Sequence, residues 1–219
     1  MKKCCIFDMD GTVLNTLPTI TYFMDRTLVD FGLSPIGEEN CRRFVGNGAR
    51  ILMERVFDYL GLDTRDTDLF EKIYRAYKEG YDAEPLYLTE PYPGILSLLS
   101  SLRDAGIGVG IVSNKPHTAV LPLSRHFFGD LVGEVQGAAD DLPLKPDPAV
   151  VRTVMHRLGG RERFTAYIGD SEVDVATGRA LGAGRTVGVL WGFRDREKLS
   201  GADLLVSRAD EILPIALSL

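Results

Sequence analysis

Asp8-Met9-Asp10-Gly11-Thr12 places two carboxylates two residues apart, directly after the short apolar run Cys4-Cys5-Ile6-Phe7. A run of that kind reads as a buried strand, so the carboxylates stand at a strand end. Carboxylate oxygens suit a hard cation such as magnesium, which takes few ligands from protein. A carboxylate can also attack phosphorus and carry the phosphoryl group covalently. Aspartate and glycine are common in turns, so this stretch alone decides nothing. Three further groups follow in order: Ser113-Asn114, Lys145-Pro146, and Gly169-Asp170-Ser171-Glu172-Val173-Asp174.

Each group has a chemical job. Asp8 is the candidate nucleophile, with one oxygen also on a metal. Asp10 is the candidate general acid, then the base for the hydrolytic water, and its backbone carbonyl adds a metal ligand. Asp170 completes the metal's carboxylate set. Asp174, one helical turn on, holds a metal-bound water or orients Lys145. Ser113 and Asn114 donate hydrogen bonds to phosphoryl oxygens, and Lys145 offsets the accumulated negative charge. Phosphoryl transfer asks mainly for positioning and charge neutralisation.

The elements needed to position them are legible. Ile20, Phe23, Met24, Thr27, Leu28 and Phe31 recur at helical spacing and stop at Gly32. Further helices are expected from about 48 to 60 and from about 66 to 81. Beyond Pro91-Tyr92-Pro93-Gly94 the pattern alternates: helix 95–105, strand 107–112, a helix after Lys115-Pro116, an edge strand 131–135 and helix 148–158. Strand 165–169, helix 173–181, strand 186–190, strand 204–206 and helix 210–217 complete it. Such alternation implies a parallel sheet covered on both faces. The expected fold class is α/β: a Rossmann-like parallel-sheet core, residues 1–15 and 89–219, with an inserted all-α cap, residues 16–88. In an open α/β sheet ligands bind beyond the carboxyl ends of the strands. Asp8, Ser113-Asn114 and Asp170 then share one rim, with Lys145 in a loop able to reach it.

The four motifs, in this order and over the whole chain, resemble the haloacid dehalogenase superfamily of phosphotransferases. Within it the chain is similar to phosphoglycolate phosphatases through Phe44–Arg55, Ser113-Asn114-Lys115-Pro116 and Trp191-Gly192-Phe193. The resemblance implies a magnesium-dependent phosphomonoester hydrolase acting through an aspartyl-phosphate, with 2-phosphoglycolate the favoured substrate. Another small-molecule phosphatase, an inorganic pyrophosphatase, a phosphomutase and a non-catalytic binding protein are the alternatives. Motif one continues with Asn15-Thr16 where the resemblance implies an aspartate-serine or aspartate-threonine pair, and Ser113 replaces a frequent threonine. Asp10 points to phosphate chemistry, since true dehalogenases do not keep it.

The insertion is the expected source of specificity, closing over the substrate as lids do. Gly46, Asn47 and Gly48 are candidate substrate contacts, and Arg50 is the candidate partner for a substrate carboxylate, with Arg42 and Arg43 next. His117, His126 and His156 show no ligand spacing. Tyr92, Trp191 and Phe193 read as packing residues. Tyr74, Tyr77 and Tyr81 read as a helix face, either core or subunit contact.

Composition excludes several partners. The 219 residues carry 31 acidic and 25 basic side chains, a net charge of -6, with no basic block; nucleic acid is not expected. The partner expected is a small phosphorylated metabolite, and the chain is a monomer or homodimer. Cys4, Cys5 and Cys41 form no disulfide or metal pattern, which fits reduced thiols in the cytoplasm. The run before Asp8 is too short for a signal peptide, and no stretch has the roughly 18 apolar residues of a membrane span.

Overall fold

A computed structural model describes residues 2–219, which fold as two compact units: residues 2–15 with 91–219, and residues 16–90. The elements run β1 (Cys4–Phe7), β2 (Leu14–Asn15), α1 (Leu17–Asp30), α2 (Gly37–Phe44), α3 (Ala49–Tyr59), α4 (Thr67–Ala83) and β3 (Glu90–Pro91). Then follow α5 (Ile95–Asp104), β4 (Gly108–Pro116), α6 (His117–Phe128), β5 (Glu134–Ala138), α7 (Ala149–Arg157), β6 (Thr165–Gly169) and α8 (Glu172–Leu181). The chain closes with β7 (Arg185–Val189), β8 (Leu204–Val206) and α9 (Ile212–Leu217). The architecture is an α/β Rossmann-like core with an inserted all-α domain.

Six strands form one parallel sheet in the order β5-β4-β1-β6-β7-β8. Strand side chains alternate between faces, and the two cores divide accordingly. Cys5, Phe7 and Ile168 pack on one face with Leu98, Leu102, Leu123 and Ile212 from α5, α6 and α9. Cys4, Ile6 and Tyr167 pack on the other with Val151, Val154 and Leu181 from α7 and α8. Neighbouring Cys4 and Cys5 therefore lie on opposite faces, and all three thiols are free and buried. β1 is central: Phe7 stands opposite Ile111 of β4 and Ile168 of β6. The next residue of each strand is Asp8, Val112 and Gly169, so the register alone gathers Asp8, Ser113 and Asp170 at one end.

The structure departs from the sequence reading in four places, one of them the unexpected two-stranded sheet of β2 and β3. α2 is an additional helix. Its octapeptide Gly-Glu-Glu-Asn-Cys-Arg-Arg-Phe buries only Cys41, so it has no apolar period to read. Its start is satisfied from α1, where Asp25 Oδ1 accepts the Ile36 N–H at 2.8 Å and the Gly37 N–H at 3.3 Å, a cap supplied by a distant residue. β4 runs on to Pro116, with a register shift against β5 between Val112 and Pro116. β5 begins at Glu134, because Gly129–Leu131 forms a 3-10 turn.

Within the helical unit, Phe23, Met53, Phe57, Phe70, Ile73, Tyr77 and Tyr81 are buried. Phe57 and Phe70 rings lie 5.0 Å apart and Phe23 and Tyr81 5.9 Å apart. Tyr77 and Tyr81 are thus core residues of this unit. Among the described residues no helix is long and apolar enough to cross a membrane.

Candidate active site

Asp8 is anchored by its own backbone, whose N–H donates to the Ile168 carbonyl at 2.9 Å. The chain then folds around the Met9 carbonyl, which accepts from the N–H groups of Thr12, Val13 and Leu14 at 3.0–3.2 Å. Gly11 makes this turn with φ of +87°, a region that favours glycine. A Cβ there would also lie 2.3 Å from Asp170 Oδ2. The glycine of motif one is therefore required twice, by conformation and by space.

Lys145 is buried and its ammonium has three acceptors: Asp8 Oδ1 at 2.7 Å, Asp174 Oδ1 at 2.8 Å and the Val112 carbonyl at 3.3 Å. All three of its N–H bonds are used. Burial works against the charge, but Asp174 and Asp8 outweigh it and hold its pKa well above the usual lysine range. Asn114 fixes the lysine from behind. Its amide nitrogen donates to the Lys145 carbonyl at 3.1 Å and its amide oxygen accepts the Lys145 N–H at 2.8 Å. Asn114, expected to face phosphoryl oxygens, thus uses both ends of its amide on the Lys145 backbone. Ser113 is buried, and its Oγ accepts the Lys115 N–H at 3.2 Å.

Asp174 and Ser171 form a capping box at the start of α8. Asp174 Oδ2 accepts from Ser171 N–H and Oγ, while Oδ1 accepts from Lys145 and from the Tyr167 hydroxyl at 3.2 Å. Asp170 Oδ2 accepts the Phe193 N–H at 2.7 Å, and Oδ1 accepts from Thr12 Oγ1 at 3.3 Å. Trp191 Nε1 donates to the Thr12 carbonyl at 3.0 Å. A Cβ on Gly192 would lie 2.2 Å from Asp170 Cβ. Trp191-Gly192-Phe193, read as packing, therefore brace Asp170 and the motif-one turn.

Ligand oxygens of Asp8, Asp170 and Asp174 lie within 4.8 Å of one another. Burial pushes the Asp8 carboxyl up to about 7, with Asp174 and Asp10 adding to the rise and Lys145 opposing it. Burial, then Asp174 and Asp8, holds Asp170 well above the ordinary carboxylate range. Asp174, expected to hold a metal-bound water or to orient Lys145, both accepts from Lys145 and joins this cluster. The ligand expected from Asp10 is its backbone carbonyl, and its carboxylate is paired with Lys115, whose Nζ lies 3.1 and 3.4 Å from its two oxygens. Four carboxylates face two ammonium groups. Hard oxygen donors, close spacing and surplus negative charge fit a divalent cation such as magnesium.

The other expected contacts lie in the helical unit. Gly46 and Gly48 have φ of +114° and +91°. Arg55 pins their loop, donating to the Phe44 carbonyl and to Asn47 Oδ1 at 2.6 and 2.9 Å. Arg50, expected to meet a substrate carboxylate, is ion-paired with Glu71 at 2.8 Å and lies over the Phe70 ring at 5.0 Å. Arg42 and Arg43 pair with Glu38 and Glu39 one turn away. His117 Nδ1 accepts the Gly137 N–H at 3.1 Å, a backbone role between β4 and β5. Sequence reasoning assigned no role to Lys115, Tyr167, Thr12 or Arg55. Lys115, Thr12 and Arg55 carried a signal, their places within the quoted stretches 113–116, 8–12 and 44–55; Tyr167 carried none.

Comparison with known proteins agrees with this geometry. Residues 5–189 match the family model of haloacid dehalogenase-like hydrolases. A phosphoglycolate phosphatase of Rhodospirillum rubrum is 36% identical over 187 residues, covering 83% of this chain and 77% of that protein. Phosphoglycolate phosphatase 1 of Pseudomonas aeruginosa is 30% identical over 228 residues, covering 99% of this chain and 80% of the relative. The crystal structure of a predicted phosphoglycolate phosphatase from Haemophilus somnus superimposes with a TM-score of 0.88 at 26% identity, covering 98% of this chain and 97% of that one.

Two outcomes follow from the packed acids. Asp8 binds its proton more tightly folded than unfolded, so the metal-free fold loses stability as pH rises from about 4, the unfolded carboxylate range, towards 7. Bound magnesium would compensate the ionised form. Its stabilisation in thermal melts against EDTA should be larger at pH 8 than at pH 5; the reverse order contradicts the assignment. Gly11→Ala should cost about 2 kcal/mol or more in chemical denaturation and weaken magnesium binding. Gly32→Ala is the control, since it shares positive φ but a Cβ there meets nothing within 4 Å. Equal losses would show that strain alone matters at Gly11.

Proposed function

The chain is a phosphatase of the haloacid dehalogenase-like hydrolase family, and from that membership we propose a magnesium-dependent phosphomonoester hydrolase that works through an aspartyl-phosphate on Asp8, with 2-phosphoglycolate as substrate. The observation that carries this reading is the division of labour among the buried carboxylates. Asp8 lies on Lys145 within a metal-competent cluster, while Asp10 lies on a separate lysine.

Asp8 Oδ forms a bond to phosphorus as the ester P–O bond breaks, and Asp10 gives its proton to the departing oxygen. Asp10 then takes a proton from water as the water oxygen attacks phosphorus, returning Asp8 and inorganic phosphate. Lys145 stays beside Asp8 and offsets charge in both steps. Ser113, whose hydroxyl keeps its proton while the oxygen accepts from Lys115 N–H, donates to a phosphoryl oxygen. Asn114 serves by fixing Lys145. Asp8, Asp170 and Asp174, with the Asp10 backbone carbonyl, would hold magnesium. When bound it supplies positive charge against the phosphoryl oxygens.

The core residues read only phosphate and metal, so the choice among esters is assigned to the inserted unit, 16–90. Within it we assign recognition to the loop of Gly46, Asn47 and Gly48, where backbone groups are accessible without a Cβ. The curated relatives named above support 2-phosphoglycolate as the ester. Free, buried thiols accord with a reducing cytoplasm.

Asp8→Asn should lower turnover about a thousandfold or more, and chelation should abolish it, with magnesium and not calcium restoring it. More than a tenth of wild-type turnover in Asp8→Asn sinks the covalent mechanism. A panel of about fifty phosphate esters and pyrophosphate, ranked by kcat/KM, tests the substrate. Arg55→Ala, which releases the glycine loop, should raise KM for 2-phosphoglycolate about tenfold and change p-nitrophenyl phosphate little, a loss of the order expected for one charged-group hydrogen bond network. Arg50→Ala on the same two esters distinguishes recognition from bracing: a selective rise in KM returns Arg50 to the substrate.

A further inference from the structure

Lys115 is a buried lysine that the reaction as written does not use. It lies at the end of β4, where the strand leaves its register. Val112 pairs with Gln136 and Pro116 with Ala138, so four steps along β4 answer two along β5. Such bulges re-aim side chains beside active sites. This one is packed tightly. A Cβ on Gly137 would lie 2.7 Å from the Lys115 carbonyl and 2.6 Å from His117 Cα. Gly137 N–H donates to His117 Nδ1, and Lys115 N–H donates to Ser113 Oγ. The backbone at Lys115 is therefore held from both sides. Its side chain is only 7% exposed, and its ammonium meets both oxygens of Asp10, itself 19% exposed.

We propose that Lys115 is a positioning residue that holds the Asp10 carboxyl group apart from the cluster of Asp8, Asp170 and Asp174, ready for proton transfer. This rests on the phosphatase reading above. A divalent cation attracts every nearby carboxylate, and Asp10 lies only two residues from Asp8. A carboxylate drawn onto the cation loses the freedom to give a proton to the departing oxygen and take one from water. Lys145 gives its three N–H bonds to Asp8, Asp174 and the Val112 carbonyl, so it has none left for Asp10. A second ammonium, on a different strand-end backbone, keeps the acid–base carboxyl separate from the nucleophile's site.

The test uses Lys115→Met and Lys115→Arg in the full chain with magnesium and three esters. Ethyl phosphate and 2-phosphoglycolate both have poor leaving groups, and only the second has a carboxylate. p-Nitrophenyl phosphate has a good leaving group and needs little proton donation. Lys115→Met should lower kcat on both alkyl esters by about 30- to 100-fold, within the range of acid–base contributions, with KM changed less than about threefold. On p-nitrophenyl phosphate it should show a burst of about one p-nitrophenolate per active site followed by slow turnover, because attack by Asp8 survives while hydrolysis still needs Asp10. Lys115→Arg keeps the charge and should recover most of the lost kcat. An equal loss of the burst and of alkyl turnover would make Lys115 a phosphate-binding or fold-supporting group and overturn the proposal. A KM rise confined to 2-phosphoglycolate would make it a carboxylate contact, with the same consequence. No loss on any ester would overturn it too. Wild-type protein inert on all three esters, or an active Asp8→Asn, would instead remove the phosphatase reading itself.

Discussion

Like charge packed at the carboxyl end of a parallel sheet is the constraint on which this structure depends. Asp8, Asp170 and Asp174 are buried within a few ångströms of one another. Burying one ionised carboxylate without a partner is costly, and three together repel. The fold answers with fixed donors rather than solvent. Asp8 has the Lys145 ammonium, Asp170 has a backbone N–H and a threonine hydroxyl, and Asp174 has donors on both oxygens. The remaining surplus would suit a divalent cation. Stability and any metal affinity would then be two aspects of one electrostatic problem.

Space at the site is rationed by glycine. Gly11, Gly169 and Gly192 each bring backbone to within a Cβ's length of an aspartate: the missing Cβ would fall 2.2–2.3 Å from Asp170 or Asp174 atoms. These glycines let carboxylates approach the chain so closely that backbone N–H groups can hold them. Rigidity here comes from main chain packed against side chain. It does not require large apolar residues at the site itself, which lie instead on the two faces of the sheet.

What was legible in the sequence follows the range of the forces involved. Strand β6 and its aspartate, strand β1 and the alternation after Pro93 rest on local period and turn chemistry, and these are written in neighbouring residues. α2 was hidden because Asp25, on another helix, satisfies its first N–H groups. The extension of β4 was hidden because Ser113, Asn114 and Lys115 are polar, and only Pro116, beyond them, pairs with β5 again. Asn114 was read from its type as a ligand for phosphate. Its amide is in fact matched to a backbone 31 residues away, a partnership only the folded chain creates. Lys115, Tyr167 and Arg55 were missed for the same reason: a charge or hydroxyl announces its chemistry but not its partner. Arg50 shows the converse. Arginine suits a carboxylate, and the one it meets here is Glu71.

The two lysines then give the site its asymmetry. Asp8 and Asp10 are the same side chain two positions apart, and nothing in their own chemistry suits one to the proposed nucleophile's role and the other to the proposed proton carrier's. Environment must separate them. Lys145 reaches its carboxylates from a loop and is locked by Asn114, a residue of β4. Lys115 stands one residue beyond that asparagine on the same strand. A single strand end therefore fixes both cations: one through an amide clamped on a loop, the other through its own backbone. Neighbouring side chains on a strand point to opposite faces, so adjacent Asn114 and Lys115 act in two directions, one on the Lys145 backbone and the other on Asp10. By leaving the register of β5 after Val112, β4 ends where Asp8 and Asp10 meet different ammonium groups.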